Sequence, residues 1–476
     1  MESTTVKNFL WRFFERVGAE LVSFIVAVIL ARLLSPSEYG TLAIVSVVIV
    51  FFQVFVDSGM ANALIQKKEI DDTDYSTVFY FNMLMCVLLY GILFFIAPLF
   101  AEFYQDSSLI AILRVLGIVI LISGVKNVQQ AYVSRNMLFK KFFFSTLVGT
   151  IVAAIVGIAM AYIGYGVWAL IVQQIMNTFI DTCVLWFTVK WRPKRLFSSK
   201  KLKGMFDYGW KLLATGLLGT LYNNISQLCI GKVYSSSDLA YYNRGKSWPN
   251  LLVTNINTSL DSVLLPTFSK KQNDNEWLKE KCSKSIQFSS YLIFPAMIGL
   301  ATVATPLTRI ILTEKWLESV PYLQLFCISF ATYPIQTSNI NIMKSVGNSG
   351  SYLKCEIVKR VIQMIFLVAG LKISVMAVGV SFLLTNLLSW IIFSYPNKKI
   401  IGYGFFEQFK DLLPTIVITV LMAIVVMITG RIPINQHVVF ALQVLCGVTS
   451  YILFSRLTKN NVFNIICELI KNKINK

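Results

Sequence analysis

The stretch Leu30–Gly40 reads L-A-R-L-L-S-P-S-E-Y-G, and its reading decides the fold. It closes one apolar run (Leu21–Leu30), breaks at Ser35-Pro36, and restarts as a second run (Leu42–Phe55). Arg32 sits near the end of the first run. Two hundred positions on, Ile230–Ala240 reads I-G-K-V-Y-S-S-S-D-L-A. Ala31 matches Gly231, Arg32 matches Lys232, Ser35 and Ser37 match Ser235 and Ser237, and Glu38 matches Asp238. The correspondence predicts a chain built twice.

Composition fixes the medium. Of 476 residues, 56% are hydrophobic and only 14% charged, against about 25% charged in soluble globular chains. Runs of 18 or more mostly apolar residues recur, each long enough to cross a bilayer as a helix at ~1.5 Å per residue. They are continuous rather than alternating, which excludes a transmembrane β-barrel. The expected fold is therefore all-α and polytopic, with about 14 transmembrane helices near 9–34, 39–64, 77–101, 108–133, 142–163, 166–189, 207–233, 247–269, 285–312, 320–343, 353–371, 375–396, 411–429 and 437–456. Glu15, Arg16 and Glu20 at the start of the first run mark it as an uncleaved spanning helix rather than a signal peptide.

The net charge of +19 reads as loops facing the cytoplasm and anionic headgroups, not as nucleic-acid binding. With the N-terminus inside, thirty Lys and Arg fall in inner connections and five, Arg244, Lys246, Lys315, Lys372 and Arg431, in outer ones. Both termini are then cytoplasmic. The eight cysteines lie in apolar runs or inner connections, so no disulfides are expected.

The repeat extends further. Ala97-Pro98-Leu99 matches Thr305-Pro306-Leu307, and Gly166-Val167-Trp168-Ala169 matches Ser374-Val375-Met376-Ala377. Six spans separate partners, so the halves are parallel repeats. The division is an N-lobe of six helices over 1–190, a basic linker over 191–206, a second six-helix lobe over 207–396, and two further helices with a basic tail over 397–476.

Enzyme chemistry is not found. The single histidine, His437, lies at a predicted outer edge, and no His/Cys/Asp/Glu cluster has metal spacing. Gly245-Lys246-Ser247 resembles the end of a phosphate loop, but Ala240 stands where the earlier glycine belongs. No cofactor and no enzymatic activity are expected.

What remains is polarity at membrane depth, where a central charge costs ~2.5–3.5 kcal/mol and needs a partner or a cavity. Helical spacing aligns Asn250, Thr254, Asn257 and Asp261 in the eighth span, with Asn255 beside them. It aligns Gly216, Thr220, Asn223 and Gln227 in the seventh, with Asn224 adjacent, and Gln174, Asn177 and Asp181 in the sixth. Gln53 and Asp57 are one turn apart in the second span, and Arg16 and Glu20 in the first. Such groups either glue helices together or line a water-filled path. Arg114 and Lys126 have no acid at pairing distance in their own helix, which favours a cavity. Lys359 and Arg360 lie inside the eleventh span, where Glu356 favours a structural pair. Arg32 and Lys232 can snorkel to headgroups. Gly149, Gly157, Gly216, Gly219, Pro249, Pro295, Pro306 and Pro334 are candidate hinges.

The segments A-R-L-L-S-P-S-E-Y-G (31–40), V-D-S-G (56–59), A-L-I-Q-K-K (63–68), G-Y-G-V-W-A-L (164–170), W-R-P (191–193), A-Y-Y-N-R-G-K (240–246) and E-K-W (314–316) together resemble the polysaccharide exporters of the multidrug/oligosaccharidyl-lipid/polysaccharide (MOP) flippase superfamily, in its lipopolysaccharide-biosynthesis or colanic-acid exporter branch. The resemblance covers nearly the whole chain. It implies two six-helix lobes plus two C-terminal helices. The implied activity is translocation of undecaprenyl-pyrophosphate-linked oligosaccharide repeat units across the bacterial cytoplasmic membrane by alternating access, for O-antigen, capsule or exopolysaccharide. The implied partners are the lipid-linked oligosaccharide, membrane lipids, and a polysaccharide polymerase and co-polymerase.

By positional analogy the headgroup cations are Arg114, Lys126, Arg32 and Lys232. The sugar-contacting stripe is Asn223, Asn224, Gln227, Asn250, Asn255 and Asn257. Asp57, Asp181 and Asp261 are candidates for proton or sodium coupling. Two other readings stand beside this one: a drug/cation antiporter of the same superfamily, and a membrane scaffold of polysaccharide assembly without transport of its own.

Overall fold

The computed structural model describes residues 2–57, 60–67 and 69–474, with side chains described outside 2–17, 207–208, 469–470 and 472–474. The expected Arg16–Glu20 pair therefore lies outside the described residues.

Among the described residues the regular structure is helical throughout. The helices are α1 (Glu2–Leu33), α2 (Pro36–Asp57), α3 (Met60–Gln66), α4 (Asp72–Tyr104), α5 (Ser108–Leu116), α6 (Ile118–Arg135), α7 (Phe139–Ile163), α8 (Val167–Thr188), α9 (Ser199–Val233) and α10 (Ser236–Ser269). They continue as α11 (Asn275–Thr302), α12 (Ala304–Leu312), a 3-10 turn (Glu314–Ser319), α13 (Val320–Ala331), α14 (Tyr333–Ser345), α15 (Ser349–Leu371), α16 (Val375–Ile401), α17 (Phe405–Thr429), α18 (Gln436–Leu457) and α19 (Asn461–Ile474). Every interval expected to span carries helix. Nine helical stretches among the described residues are long and apolar enough to cross a membrane, so this is a multi-pass membrane protein.

The chain divides into two compact units, Met1–Ala240 and Tyr241–Lys476. In the first, α7 lies along α8 and α1 along α7. Small residues set the α7–α8 distance: a β-carbon at Gly157 would meet the Gln173 side chain, and one at Gly149 would come within 3.0 Å of the Asn177 carbonyl. These two glycines are close-packing sites. In the second unit α15 lies along α16, and α17 packs between α11 and α18. Pro334 opens α14 and so starts a helix instead of bending one.

The twin turns are built alike. Glu38 accepts from the Ser35 backbone N–H (2.6 Å) and hydroxyl (2.8 Å). Asp238 does the same for Ser235, at 3.2 and 2.6 Å. Each acid reaches back across a helix start, satisfying donors that the new helix leaves open. A second pair of turns repeats as closely. Leaving α6, the N–H groups of Asn136, Met137 and Leu138 donate to the carbonyls of Tyr132, Ser134 and Val133. Leaving α14, those of Val346, Gly347 and Asn348 donate to Ile342, Lys344 and Met343. Both use a left-handed residue, Met137 (φ 52°) and Gly347 (φ 75°). The same local solutions recur about two hundred residues apart.

One boundary differs from expectation. The eighth span was expected to begin at 247, leaving Arg244 and Lys246 in a connection. Instead α10 starts at Ser236, and Lys246 lies almost three turns inside it. The R-G-K-S-W-P stretch has the composition of a loop, but Gly245 serves packing: a β-carbon there would meet Tyr322 and the Leu323 backbone at 2.6–2.7 Å.

Candidate functional site

In the first unit α2, α6 and α8 bring three charges together. Asp57 ends α2, where helical spacing puts it one turn from Gln53, and its Oδ1 accepts from Gln53 Nε2 at 3.3 Å. Asn127, on α6, donates to Asp57 Oδ1 at 3.4 Å and to the Val56 carbonyl at 2.9 Å, and accepts from Asn82 at 3.2 Å. These bonds fix the end of α2 against α4 and α6. Next along α6, Lys126 Nζ lies 3.1 Å from Asp181 Oδ2 on α8. Gly149 on α7 admits the Asp181 backbone at close range. Gln53, Asp57, Lys126, Asn127, Gln130 and Ser134 line a cavity of about 280 Å³. Gln53 Oε1 in its lining is buried without a hydrogen-bond partner, and so is Asp181 Oδ1 on the far side of Lys126.

The expected cavity at Lys126 is present, and the expectation that this base stands unpaired is corrected. Its acid comes from another helix, which intrahelical spacing cannot reveal. Arg114 is not among the residues lining that cavity. It sits on α5, its guanidinium 3.8 Å from the centre of the Phe94 ring, and its Nε donates to the Phe94 carbonyl. Arg32 is exposed in the last turn of α1. Lys232, in the last turn of α9, donates to the Phe103 carbonyl and lies over the Phe103 ring. The four proposed headgroup cations thus occupy different settings, one ion-paired, two on aromatic faces and one exposed.

The polar stripes also separate. On α9, Asn223 is exposed, Asn224 Nδ2 donates to the Thr220 carbonyl, and Gln227 donates to Asn224 Oδ1. On α10, Asn250, Thr254, Asn255, Thr258 and Ser259 are exposed, and Thr254 donates to Asn250, Asn255 to the Leu251 carbonyl, Thr258 to the Thr254 carbonyl and Ser259 to the Asn255 carbonyl, all within the helix. Asn257 differs, because its Oδ1 is buried without a partner. Asp261, in the second unit, accepts from the buried Asn341 of α14 at 2.8 Å.

Sequence reasoning missed Lys246. Among the described residues no carboxylate lies within ion-pair distance of it, and its ammonium stands 5.2 Å from the Phe382 ring centre. The signal was present in the helical spacing of the buried Leu239, Tyr242, Pro249 and Val253, but Gly245 and Pro249 have the composition of a loop and concealed it. On α15, Arg360 pairs with Glu356 at 2.8 Å, as the i, i+4 spacing indicates. Lys359 turns instead to Gln336 Oε1 at 3.4 Å and the Phe393 ring.

The second unit holds an apolar groove of about 710 Å³ walled by α11, α17, α18 and α19. Leu292, Pro295, Met422, Val426, Val448 and Ile466 are among its lining residues. Gln443 is its polar exception, with Nε2 bound to the Val426 carbonyl at 3.1 Å and Oε1 buried without a partner. Tyr451 donates to the Tyr291 carbonyl (2.7 Å) and Tyr291 to Ser455 (2.8 Å), tying α18 to α11 behind it. Helices α17 and α18 thus share an apolar concave surface with α11.

The structure thus places charged groups at a cavity within apolar helices, and an apolar groove in the same chain. The fold matches transporters of the MOP superfamily. It superposes on the lipid II flippase MurJ in an inward closed conformation (TM-score 0.76, 15% identity, 96% of this chain and 99% of that one). It also superposes on an inward-facing multidrug resistance MATE family transporter of the MOP superfamily (TM-score 0.63, 13% identity, 81% and 94%). The sequence places it more narrowly. The chain belongs to the polysaccharide biosynthesis protein family, whose profile matches residues 29–321. It is 23% identical over 347 residues to the succinoglycan biosynthesis transport protein ExoT of Rhizobium meliloti (strain 1021), covering 72% of this chain and 70% of that one. It is 23% identical over 437 residues to the lipopolysaccharide biosynthesis protein WzxC of Escherichia coli (strain K12), covering 86% and 85%.

Proposed function

We propose that this protein is a flippase that moves undecaprenyl-pyrophosphate-linked oligosaccharide units from the inner to the outer leaflet of the bacterial cytoplasmic membrane by alternating access. The observation that carries the reading is the apolar groove of about 710 Å³ in a chain whose spans also hold Lys126 and Lys246. An isoprenoid chain needs the first, because it gains ~25 cal/mol per Å² of apolar surface kept from water. A pyrophosphate needs the second. The exposed amides Asn223, Asn250 and Asn255 suit sugar hydroxyls. Membership of a polysaccharide biosynthesis family supports the glycan.

Energetics agree in sign. A headgroup carrying about two negative charges runs downhill on moving outward in an inside-negative potential, by ~2.3 kcal/mol per charge per 100 mV. No nucleotide hydrolysis is needed. The reading includes fourteen crossings with both termini cytoplasmic, and a repeat partition of 1–190 and 207–396 joined by 191–206. It also includes a polysaccharide polymerase and co-polymerase as partners receiving the product.

Deletion followed by leaflet-resolved analysis of lipid-linked intermediates tests it. Build-up of lipid-linked oligosaccharide in the inner leaflet is expected. Normal surface glycan with altered dye efflux would instead favour a drug/cation antiporter.

A further inference from the structure

We infer that Asp181 and the anionic headgroup compete for Lys126, so that headgroup binding is linked to the uptake of a proton by Asp181. This rests on the flippase reading above and adds a coupling device to it. The observation is the ion pair itself. Lys126 Nζ is 3.1 Å from Asp181 Oδ2, with side chains only 16% and 12% exposed. A phosphate oxygen that takes that ammonium sets its negative charge against the Asp181 carboxylate, and one buried cation cannot neutralise both anions.

The displaced carboxylate has little to fall back on. Asp181 Oδ1 is already buried with no partner, and Oδ2 would lose the Lys126 ammonium. Leaving a buried carboxylate unpaired costs several kcal/mol. The groups facing it do not help. From α2 comes Asp57, a second acid, already bonded to Gln53 and Asn127. From α7 comes Gly149, with no side chain. On α5 the only ionisable group, Arg114, is engaged with Phe94. From α6 the remaining bases and phenols, Tyr132 and Arg135, lie farther along the helix, and Arg135 caps the carbonyls of Leu64, Ile65 and Lys67. Among α8's own groups, Cys183 is two residues on and points elsewhere on the helix by spacing. A proton neutralises Asp181 with no other rearrangement. Asp57 keeps its amide partners throughout, so the exchange belongs to Asp181.

In balance, the headgroup forms one ion pair with Lys126, the Lys126–Asp181 pair breaks, and one proton passes from water in the adjoining cavity to Asp181. When the headgroup leaves, the pair re-forms and the proton returns. By reciprocity, acid favours headgroup binding as much as the headgroup favours proton uptake.

The test uses full-length protein in phosphatidylethanolamine/phosphatidylglycerol nanodiscs with undecaprenyl pyrophosphate as probe. Calorimetry in two buffers of different ionisation enthalpy counts protons taken up. Wild type should take up about one more proton per headgroup than Asp181→Asn does, and its affinity should weaken by up to about tenfold per pH unit as pH rises, relative to that variant. Asp181→Asn should bind several-fold more tightly, because Lys126 is already released, and Lys126→Gln should bind several-fold more weakly. Binding with equal proton counts in wild type and Asp181→Asn overturns the exchange and leaves the flippase reading intact. Absence of binding in both overturns the headgroup reading and the exchange with it. Asp57→Asn, which keeps the Lys126–Asp181 pair, should retain the extra proton; losing it would transfer the role to Asp57 and overturn the assignment.

Discussion

Gly40 packs directly on the backbone of Ser236: a β-carbon at Gly40 would overlap the Ser236 carbonyl group. The two residues close and open the twin turns, so the duplicated elements meet at their own repeat motif within the first unit. Backbone cannot yield as a side chain can. Gly40→Ala should therefore cost more than its better helix propensity returns, about 1–3 kcal/mol from overpacking. A lowered thermal midpoint of the purified protein checks this; an unchanged or raised midpoint means the contact relaxes freely.

Ser35 and Ser235 each feed two hydrogen bonds to the acid three residues on. Replacing either with Ala removes the hydroxyl bond and leaves the acid one donor, at a cost of about 1 kcal/mol. Because the two turns touch, the double variant should depart from additivity. Strict additivity in the midpoints of both single variants and the double would show that the turns act independently.

Lys246 is a cation inside α10 with no carboxylate partner among the described residues. Lys246→Met should raise stability, since removing an intramembrane charge relieves a cost of ~2.5–3.5 kcal/mol on the insertion scale. The same change should reduce surface glycan export if the charge is kept for the headgroup. A variant that is more stable and exports normally would remove Lys246 from the site.

Asp71 lies just ahead of α4, outside the membrane-crossing helices. The Lys201 ammonium, 2.6 Å away, with help from the Asp74 backbone N–H, holds its carboxyl well below the ordinary range, at about 2. A carboxylate with a lowered folded pKa contributes stability above its ordinary value and loses it only as pH falls through about 2. The tie between the α4 start and the α9 start should thus persist at about pH 3. Pepsin at that pH should cut residues 190–198 several-fold faster in Lys201→Gln than in wild type; equal rates would show that the tie carries no local stability.

The helices were legible in the sequence because continuous apolar runs admit one solution in a bilayer, and the twin turns because Ser-x-x-acid is a local motif. What was not legible came from contacts between distant helices. Lys126 looked unpaired because Asp181 lies on another helix, and the orphan oxygens of Gln53 and Asp181 exist only once α2, α6 and α8 assemble. Lys246 was hidden because Gly245 and Pro249 imitate a loop when their packing partner, the Tyr322–Leu323 backbone, is unseen. The groove escaped notice for the opposite reason: apolar residues on α11, α17 and α18 read as ordinary lipid-facing surface until their shared concavity is known.

That groove gives the sharpest test of the lipid half of the function. Gly299 on α11 lines it, and a β-carbon there would meet nothing nearer than the Met422 methyl at 3.8 Å. A larger side chain therefore enters the groove without straining the helix. Gly299→Phe should block a long isoprenoid chain while leaving the Lys126 cavity of the first unit untouched. The expected outcome is at least a tenfold fall in export of undecaprenyl-linked glycan, with binding of the short-chain farnesyl pyrophosphate unchanged and the unfolding free energy within about 1 kcal/mol of wild type. Loss of both ligands together would place the groove's influence on folding rather than on the chain, and undiminished export would show that the isoprenoid travels elsewhere.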